Sequence, residues 1–171
     1  CYSFAIDKDP NAVCAPIYTK STDEVSAAEG MPASSVSEVY AQSISDLEKA
    51  LDLIPETYIR NSKHKIDNQV VLGLLSRACL YARQWEKAKN YSDQLLAKNN
   101  YLMSESEYKE GFSNAENKEW IWGHPQTNDQ NNASYQFYYL DTTTPGSYYY
   151  SFNVDPYFRD LFEDGDYRKE M

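Results

Sequence analysis

Aromatic and amide side chains are concentrated between residues 123 and 153, a stretch whose apolar positions follow no helical period. Tyrosine rings offer flat apolar faces to a ligand, and amide and carboxyl groups offer hydrogen bonds around them. Both kinds of group are present in the set Tyr135, Tyr138, Tyr139, Tyr148, Tyr149, Tyr150, Asn128, Asp129, Gln130, Asn131, Asn132 and Gln136. The stretch predicts a binding surface made of loops or short strands. The alternative is that these rings only pack on neighbouring helices.

Two tyrosines are the first candidates for ligand contact. Pro145 and Gly146 are typical turn residues, and a turn at that point would lift Tyr148 and Tyr149 to a loop tip that faces solvent. The other candidate ligand-binding residues are Tyr138, Tyr139, Trp122 and Asn131.

The chain carries little that could support catalysis. It contains no Gly-rich phosphate loop, no G-x-S-x-G elbow and no pair of histidines at metal-ligand spacing. Asp164 and Asp166 are a possible pair of glycosidase carboxylates, but nothing around them in the sequence indicates a raised pKa. Their acidic stretch also lacks the twelfth-position Glu of an EF-hand loop. We therefore predict no enzymatic activity, no cofactor and no metal site.

The net charge limits the partners of the chain. The sequence has 26 acidic and 16 basic residues among 171, for a net charge of −10. This charge disfavours nucleic acid and anionic membrane surfaces, whereas a neutral ligand is compatible with it. No stretch approaches the roughly 20 apolar residues needed to cross a bilayer, so we expect the chain itself to be soluble.

The elements that must position these groups are helical. Residues 70–82 and 85–98 carry apolar or small side chains at three- and four-residue steps, which places each set on one helical face. Arg83 and Gln84 allow only a tight turn, so the two helices should form an antiparallel hairpin of tetratricopeptide type. We expect Trp85 to be largely buried against a helix formed by residues 36–54.

A further helix should precede the hairpin. Ser35 and Glu38 have the spacing of a capping box in front of an apolar period that runs to Ile54. Pro55 ends this period, because its ring and missing amide hydrogen do not fit a helix interior. We expect one helix between these signals and a polar loop over residues 56–68.

Outside the helical region the sequence predicts mainly irregular structure. Prolines and Gly30 in the first 32 residues predict an extended segment with no regular helix. Residues 117–122 place two tryptophans at alternate positions, which would share one face of a strand. Asp155 and Pro156 have the types of an N-cap and a first helical residue, so a last helix is expected to run to about Gly165.

The three cysteines do not have the spacing of a zinc site. Cys79 lies on the apolar face of the first hairpin helix and is expected to be a small buried residue. A disulfide between Cys1 and Cys14 is left open.

The hairpin resembles that of the SusD/RagB family. The matching residues are Leu74, Leu75, Arg77, Leu80, Tyr81, Trp85, Ala88, Tyr91, Leu95, Leu96, Tyr101 and Leu102. The preceding helix also resembles the family, at Val36, Glu38, Val39, Tyr40, Asp46, Leu47, Ala50, Ile54 and Pro55. Residues 117–122 are similar to the N-x-E-x-I-W element of the family, which implies a short strand there. Residues 163–168 are similar to its G-D-x-R element.

The resemblance implies a mostly α, SusD-like fold in which tetratricopeptide-like helical hairpins carry a long insertion of loops and short strands. Members of this family are surface lipoproteins of the bacterial outer membrane, in the Bacteroidetes. They bind oligosaccharides without cleaving them and deliver them to a SusC-like TonB-dependent transporter. The resemblance thus implies a glycan ligand for the aromatic loop.

The resemblance also implies that the chain is an internal fragment, held at the membrane only through the lipid anchor of the full-length protein. We expect an extended segment at 1–32, a helical region at 33–100, an aromatic and polar loop region with short strands at 101–154, and a helix with an acidic loop at 155–171. All four should belong to one larger domain.

A second hypothesis is a tetratricopeptide-like scaffold that binds a protein or peptide in its groove and has no glycan site in this part of the chain. Two recognisable helical units would give only a short groove. The position of the exposed aromatic side chains, in the groove or on the loops, discriminates between the two hypotheses.

Overall fold

The chain is mostly α-helical, as predicted. The structure is a computed structural model that describes residues 9–110, 114–124 and 155–170. Two compact units follow each other along the chain, Cys1–Tyr101 and Leu102–Met171.

The first unit begins with a small antiparallel sheet. Strand β1, Val13–Pro16, pairs with β2, Ala33–Ser35, and the register is irregular between the two ends of β1. Cys14 lies in β1, while Cys1 lies outside the described residues, so a disulfide between them remains untested.

A short helix, α1, occupies Glu24–Glu29, and the prediction that the first 32 residues contain no regular helix is wrong there. The side chains of Asp23 and Ser26 form a reciprocal capping box. The Asp23 carboxylate accepts a hydrogen bond from the Ser26 amide at 2.8 Å, and the Ser26 hydroxyl accepts one from the Asp23 amide at 2.9 Å. Gly30 ends the helix with a φ of 71°, a conformation that glycine adopts readily.

Helix α2 spans Val36–Leu53 and confirms the predicted start and end. The Glu38 carboxylate accepts a hydrogen bond from the Ser35 amide at 2.7 Å, and the Ser35 hydroxyl accepts one from the Glu38 amide at 3.3 Å. The helix ends two residues before Pro55, as expected for a proline that cannot continue it.

The helical hairpin is confirmed. It consists of α3, Asn68–Tyr81, and α4, Trp85–Lys98. Ser76 on α3 lies against Ser92 on α4, and Gly73, one turn earlier on α3, lies against Leu95, further along α4. Residues earlier on α3 thus contact residues later on α4, so the two helices run antiparallel.

The core of the first unit lies where α2, α3 and α4 meet. Its buried members are Ile44 from α2, Val71, Leu75 and Cys79 from α3, and Ala88 from α4. Cys79 is fully enclosed, as predicted, and burial raises the pKa of its thiol. The small Ala88 allows α4 to approach the core closely.

Trp85 is not part of this core. Its side chain is 57% exposed, so the prediction that it is buried against α2 is wrong. Trp85 is the first residue of α4 and lies at the tip of the hairpin, whereas Ala88 and Tyr91, one and two turns further on, take the positions that face the core.

A polar cluster joins α2 to α4 beside the core. The Glu48 carboxylate accepts hydrogen bonds from the Lys87 ammonium at 2.9 Å and from the Tyr91 hydroxyl at 2.8 Å. Burial, together with the Glu48 carboxylate, raises the pKa of Tyr91 from 10.0 to about 12. The folded protein therefore holds the phenolic proton more tightly than the unfolded chain does.

This difference predicts how stability depends on pH. A raised pKa in the folded state contributes stability that is fully present below pH 10 and is lost as the pH rises toward 12. The difference in free energy of unfolding between the wild type and Tyr91→Phe should be constant from pH 7 to 9 and shrink from pH 10 upward. Urea unfolding at a series of pH values measures this difference. A value that stays constant up to pH 11 would contradict the assignment.

Candidate functional site

Trp122 is the member of the predicted ligand-binding set that lies among the described residues, and its side chain is 53% exposed. The other members of the set, Asn131, Tyr138, Tyr139, Tyr148 and Tyr149, lie outside the described residues. Their role stays a prediction.

Consecutive turns, rather than the predicted strand, position Trp122. The side chain of Asn114 accepts a hydrogen bond from the Glu116 amide at 3.0 Å, and the side chain of Asn117 accepts one from the Glu119 amide at 2.9 Å. These bonds bend the backbone at each asparagine. The prediction of a strand over 117–122 is therefore wrong, and no strand occurs in the described part of 101–154.

A short helix, α5, Glu105–Lys109, holds this turn segment in place. Ser104 caps the helix, and the Glu107 carboxylate accepts a hydrogen bond from the side chain of Asn117 at 3.3 Å. The Glu119 carboxylate accepts another from the Met103 amide at 2.6 Å. The segment that carries Trp122 is thus tied to α5 at Glu107 and to the residue before the helix cap at Met103.

The C-terminal residues begin with a single helical turn, α6, Pro156–Arg159. The Asp155 carboxylate accepts a hydrogen bond from the Tyr157 amide at 2.8 Å, which confirms the predicted cap. The helix was expected to run to about Gly165 and instead ends at Arg159, so that expectation is wrong. Turns follow, Gly165 has a φ of 91°, and a 3-10 helix occupies Tyr167–Glu170.

These turns form an open cavity of about 630 Å³, which is lined by residues 161–168. The Arg168 guanidinium donates to both carboxylate oxygens of Asp166, with Nε 2.9 Å from Oδ1, and lies 5.0 Å from the centre of the Phe162 ring. Hydrogen bonds from the side chain and amide of Arg168 lower the pKa of Asp166 to about 2. The cavity wall therefore combines a fixed ion pair with an aromatic ring.

A second ion pair holds the end of this segment. The Lys169 ammonium lies 2.9 Å from the Asp164 carboxylate, and the Arg159 side chain donates to the Lys169 carbonyl at 3.2 Å. The Tyr108 and Tyr167 rings meet edge to face, with centres 5.3 Å apart, and this contact joins the segment to α5 within the second unit.

A crystal structure of a SusD-like carbohydrate-binding protein from Bacteroides vulgatus is 84% identical to the chain and superposes on it with a TM-score of 0.92. The match covers all of this chain. The chain is part of a SusD-like protein. It spans 36% of the length of the matched one. No protein-family model and no curated protein matches the chain.

The structure places exposed apolar side chains of the SusD-like chain at positions that the sequence analysis did not select as ligand contacts. Tyr157 is 77% exposed, Phe158 55% and Leu161 67%. The sequence predicted these residues on a helix that runs to about Gly165, whereas α6 ends at Arg159 and Leu161 lies in the turn that follows.

Other kinds of site find no support in the described ranges of the SusD-like chain. No group of three or more His, Cys, Asp or Glu side chains there could hold a metal ion. No helix there has the length and apolarity required to span a membrane.

Proposed function

We propose that this chain belongs to a protein that binds oligosaccharide or polysaccharide at the bacterial cell surface without cleaving it. The observation that carries the proposal is the match, 84% identical over the whole chain, to a protein described as SusD-like and carbohydrate-binding. The net charge of −10 is compatible with a neutral glycan. A non-catalytic role agrees with the lack of catalytic motifs in the sequence.

The proposed site is the aromatic region from Trp122 to Tyr150. The half-exposed indole of Trp122 can pack against the C–H face of a sugar ring, and the tyrosines and Asn131 beyond it in sequence supply further faces and hydrogen bonds. Tyr148 and Tyr149 are proposed as the main platform, and Tyr138 and Tyr139 are the next candidates.

Replacing Tyr148 or Tyr149 with alanine in the full-length protein should weaken binding of its preferred glycan about tenfold, because a stacked aromatic at a hot spot contributes about 1–2 kcal/mol. Isothermal titration calorimetry measures this loss. Tyr58→Ala, at a tyrosine that is exposed in the first unit, is the matched control and should bind like the wild type. Unchanged affinity in both test variants, at wild-type melting temperature, would reject this platform.

We also propose that the full-length protein is a lipoprotein of the outer membrane that delivers its glycan to a SusC-like TonB-dependent transporter. This proposal rests on the family resemblance. Exposed apolar side chains on the hairpin, Leu80, Trp85 and Leu96, favour a protein contact there, because desolvated aromatic and aliphatic groups are typical of interface cores.

The transporter contact has its own test. The tagged full-length protein should co-purify with the transporter from detergent-solubilised outer membranes, and Trp85→Ser should reduce the recovery while leaving glycan affinity unchanged. Purification without any transporter would overturn the delivery role. Full recovery with Trp85→Ser would exclude the hairpin as the contact.

A further inference from the structure

The segment at residues 155–170 combines exposed apolar side chains with a polar cavity. Tyr157, Phe158 and Leu161 are each more than half exposed. The Phe158 ring is oriented by an edge-to-face contact with Phe162, with ring centres 5.5 Å apart and planes at 88°. An exposed ring that is already oriented loses little conformational freedom when a ligand packs on it.

The wall of the adjacent cavity is also fixed before any ligand arrives. Phe162 contacts Phe158 by its ring and lies beneath the Arg168 guanidinium, and Arg168 is held in turn by Asp166. A chain of contacts thus runs from the exposed Phe158 ring to the ion pair in the cavity wall. Such a preorganised wall avoids the entropy cost of ordering side chains on binding.

The cavity has the size and the polar groups to receive a sugar. Its volume of about 630 Å³ lies within the range of about 300–1,000 Å³ typical of small-molecule sites. The Glu163 carboxylate is exposed and has no ion-pair partner among the described residues, so it can accept hydrogen bonds from hydroxyl groups. Asp164 is held by Lys169 through one oxygen, which leaves the other to accept.

The charge of the cavity selects among sugars. Glu163, Asp164 and Asp166 bring three carboxylates to its wall. Arg168 pairs with Asp166 and Lys169 pairs with Asp164, so the Glu163 carboxylate is left without a cation among the described residues. A uronic acid or a sulfated sugar would meet uncompensated like charge, whereas a neutral sugar would meet only hydrogen-bond acceptors and an apolar face.

We propose that residues 155–170 form a second saccharide-binding site, separate from the aromatic loop, which packs a neutral sugar on Phe158 and Tyr157 and bonds its hydroxyls at Glu163. This inference rests on the proposed glycan-binding function and adds to it a location and a class of ligand.

The test is isothermal titration of the full-length protein with neutral polysaccharides (soluble starch, laminarin, mannan, xyloglucan, inulin) and with anionic ones (polygalacturonate, heparin). The wild type should prefer a neutral member. Phe158→Ala and Tyr157→Ala should each weaken that binding about tenfold, whereas Tyr58→Ala should not. Glu163→Gln should narrow the preference for neutral over anionic glycans, and Glu29→Gln, at an exposed glutamate of the first unit, should leave it unchanged.

The outcomes separate the two claims. A wild type that binds a neutral glycan, with both aromatic variants binding equally well at unchanged melting temperature, overturns this site and leaves the proposed function intact. A wild type that binds no glycan overturns both. Preference for an anionic glycan overturns the ligand class, and a change of oligomeric state in Phe158→Ala without a change of glycan affinity shows a protein contact instead. Because Tyr157 is the more exposed of the two, its variant remains a test if Phe158→Ala fails to fold.

Discussion

Replacing Leu75 with alanine is expected to lower the free energy of unfolding by about 2–5 kcal/mol. Leu75 has no exposed surface and lies in the core between α2, α3 and α4. Truncation removes buried methyl groups and leaves a cavity that the surrounding helices can close only in part, because the packed core relaxes incompletely. Urea unfolding of the variant, compared with the wild type, measures the loss.

Leu80→Ala on the same helix is the matched control. Its side chain is 51% exposed, so the same truncation should change stability by much less. Equal losses for Leu75→Ala and Leu80→Ala would contradict the placement of the core on one face of α3.

Replacing Asp67 with alanine is expected to cost about 3–5 kcal/mol, because one carboxylate serves two structural purposes. It accepts a hydrogen bond from the Val70 amide at 3.1 Å as the N-cap of α3, and it pairs with the Arg60 guanidinium at 2.9 Å. Both side chains of the pair are nearly buried, at 12% and 13% exposure. Its removal leaves an uncapped helix and a poorly solvated guanidinium charge.

Two further variants separate these effects. Asp67→Asn retains a good capping residue and loses only the charge, so it should cost less than Asp67→Ala. Asp46→Ala removes an exposed carboxylate that lies 3.7 Å from Lys49 and should cost less than about 1 kcal/mol. The losses are measured by urea unfolding. A loss for Asp67→Ala no larger than that for Asp46→Ala would show that the buried pair does not hold the 60–67 loop.

Local signals in the sequence predicted most of the helical framework. The capping box of Ser35 and Glu38 marked the start of α2 within one residue, and Pro55 marked its end. The two-residue gap at Arg83 and Gln84 required a tight hairpin. These features could be predicted because the contacts that produce them lie within a few residues of each other.

The predictions from the sequence are wrong at positions where competing contacts determine the structure. Trp85 has the spacing of a core residue, but its burial depends on which element covers the hairpin tip, and spacing does not specify that. At 117–122 the family resemblance and the tryptophan alternation indicated a strand, yet the Asn117 side chain accepts a hydrogen bond from the Glu119 amide, which favours a turn. The Asp23 and Ser26 capping box was overlooked because the acidic residue precedes the hydroxyl, the reverse of the usual pattern.

The candidate site likewise contains residues that the sequence pointed to and residues that it did not. Trp122 was selected from its sequence context and its side chain is half-exposed, and its role as a ligand contact remains a prediction, as do the roles of the tyrosines beyond it. The exposed Phe158 ring and the cavity lined by residues 161–168 were not selected as a ligand site. They depend on α6 ending after one turn and on the ion pair between Asp166 and Arg168. The sequence shows that Asp166 and Arg168 stand two residues apart, but it does not show that the Phe162 ring lies beneath the Arg168 guanidinium.

Binding of a glycan without cleavage is the central claim, and calorimetric titration of the full-length protein with the glycan panel, followed by chromatography of the recovered ligand, tests it most directly. The account predicts saturable binding of at least one neutral polysaccharide and recovery of that polysaccharide at its original length. Titrations that show no saturable heat with any member of the panel, or shortened products after incubation, would contradict it.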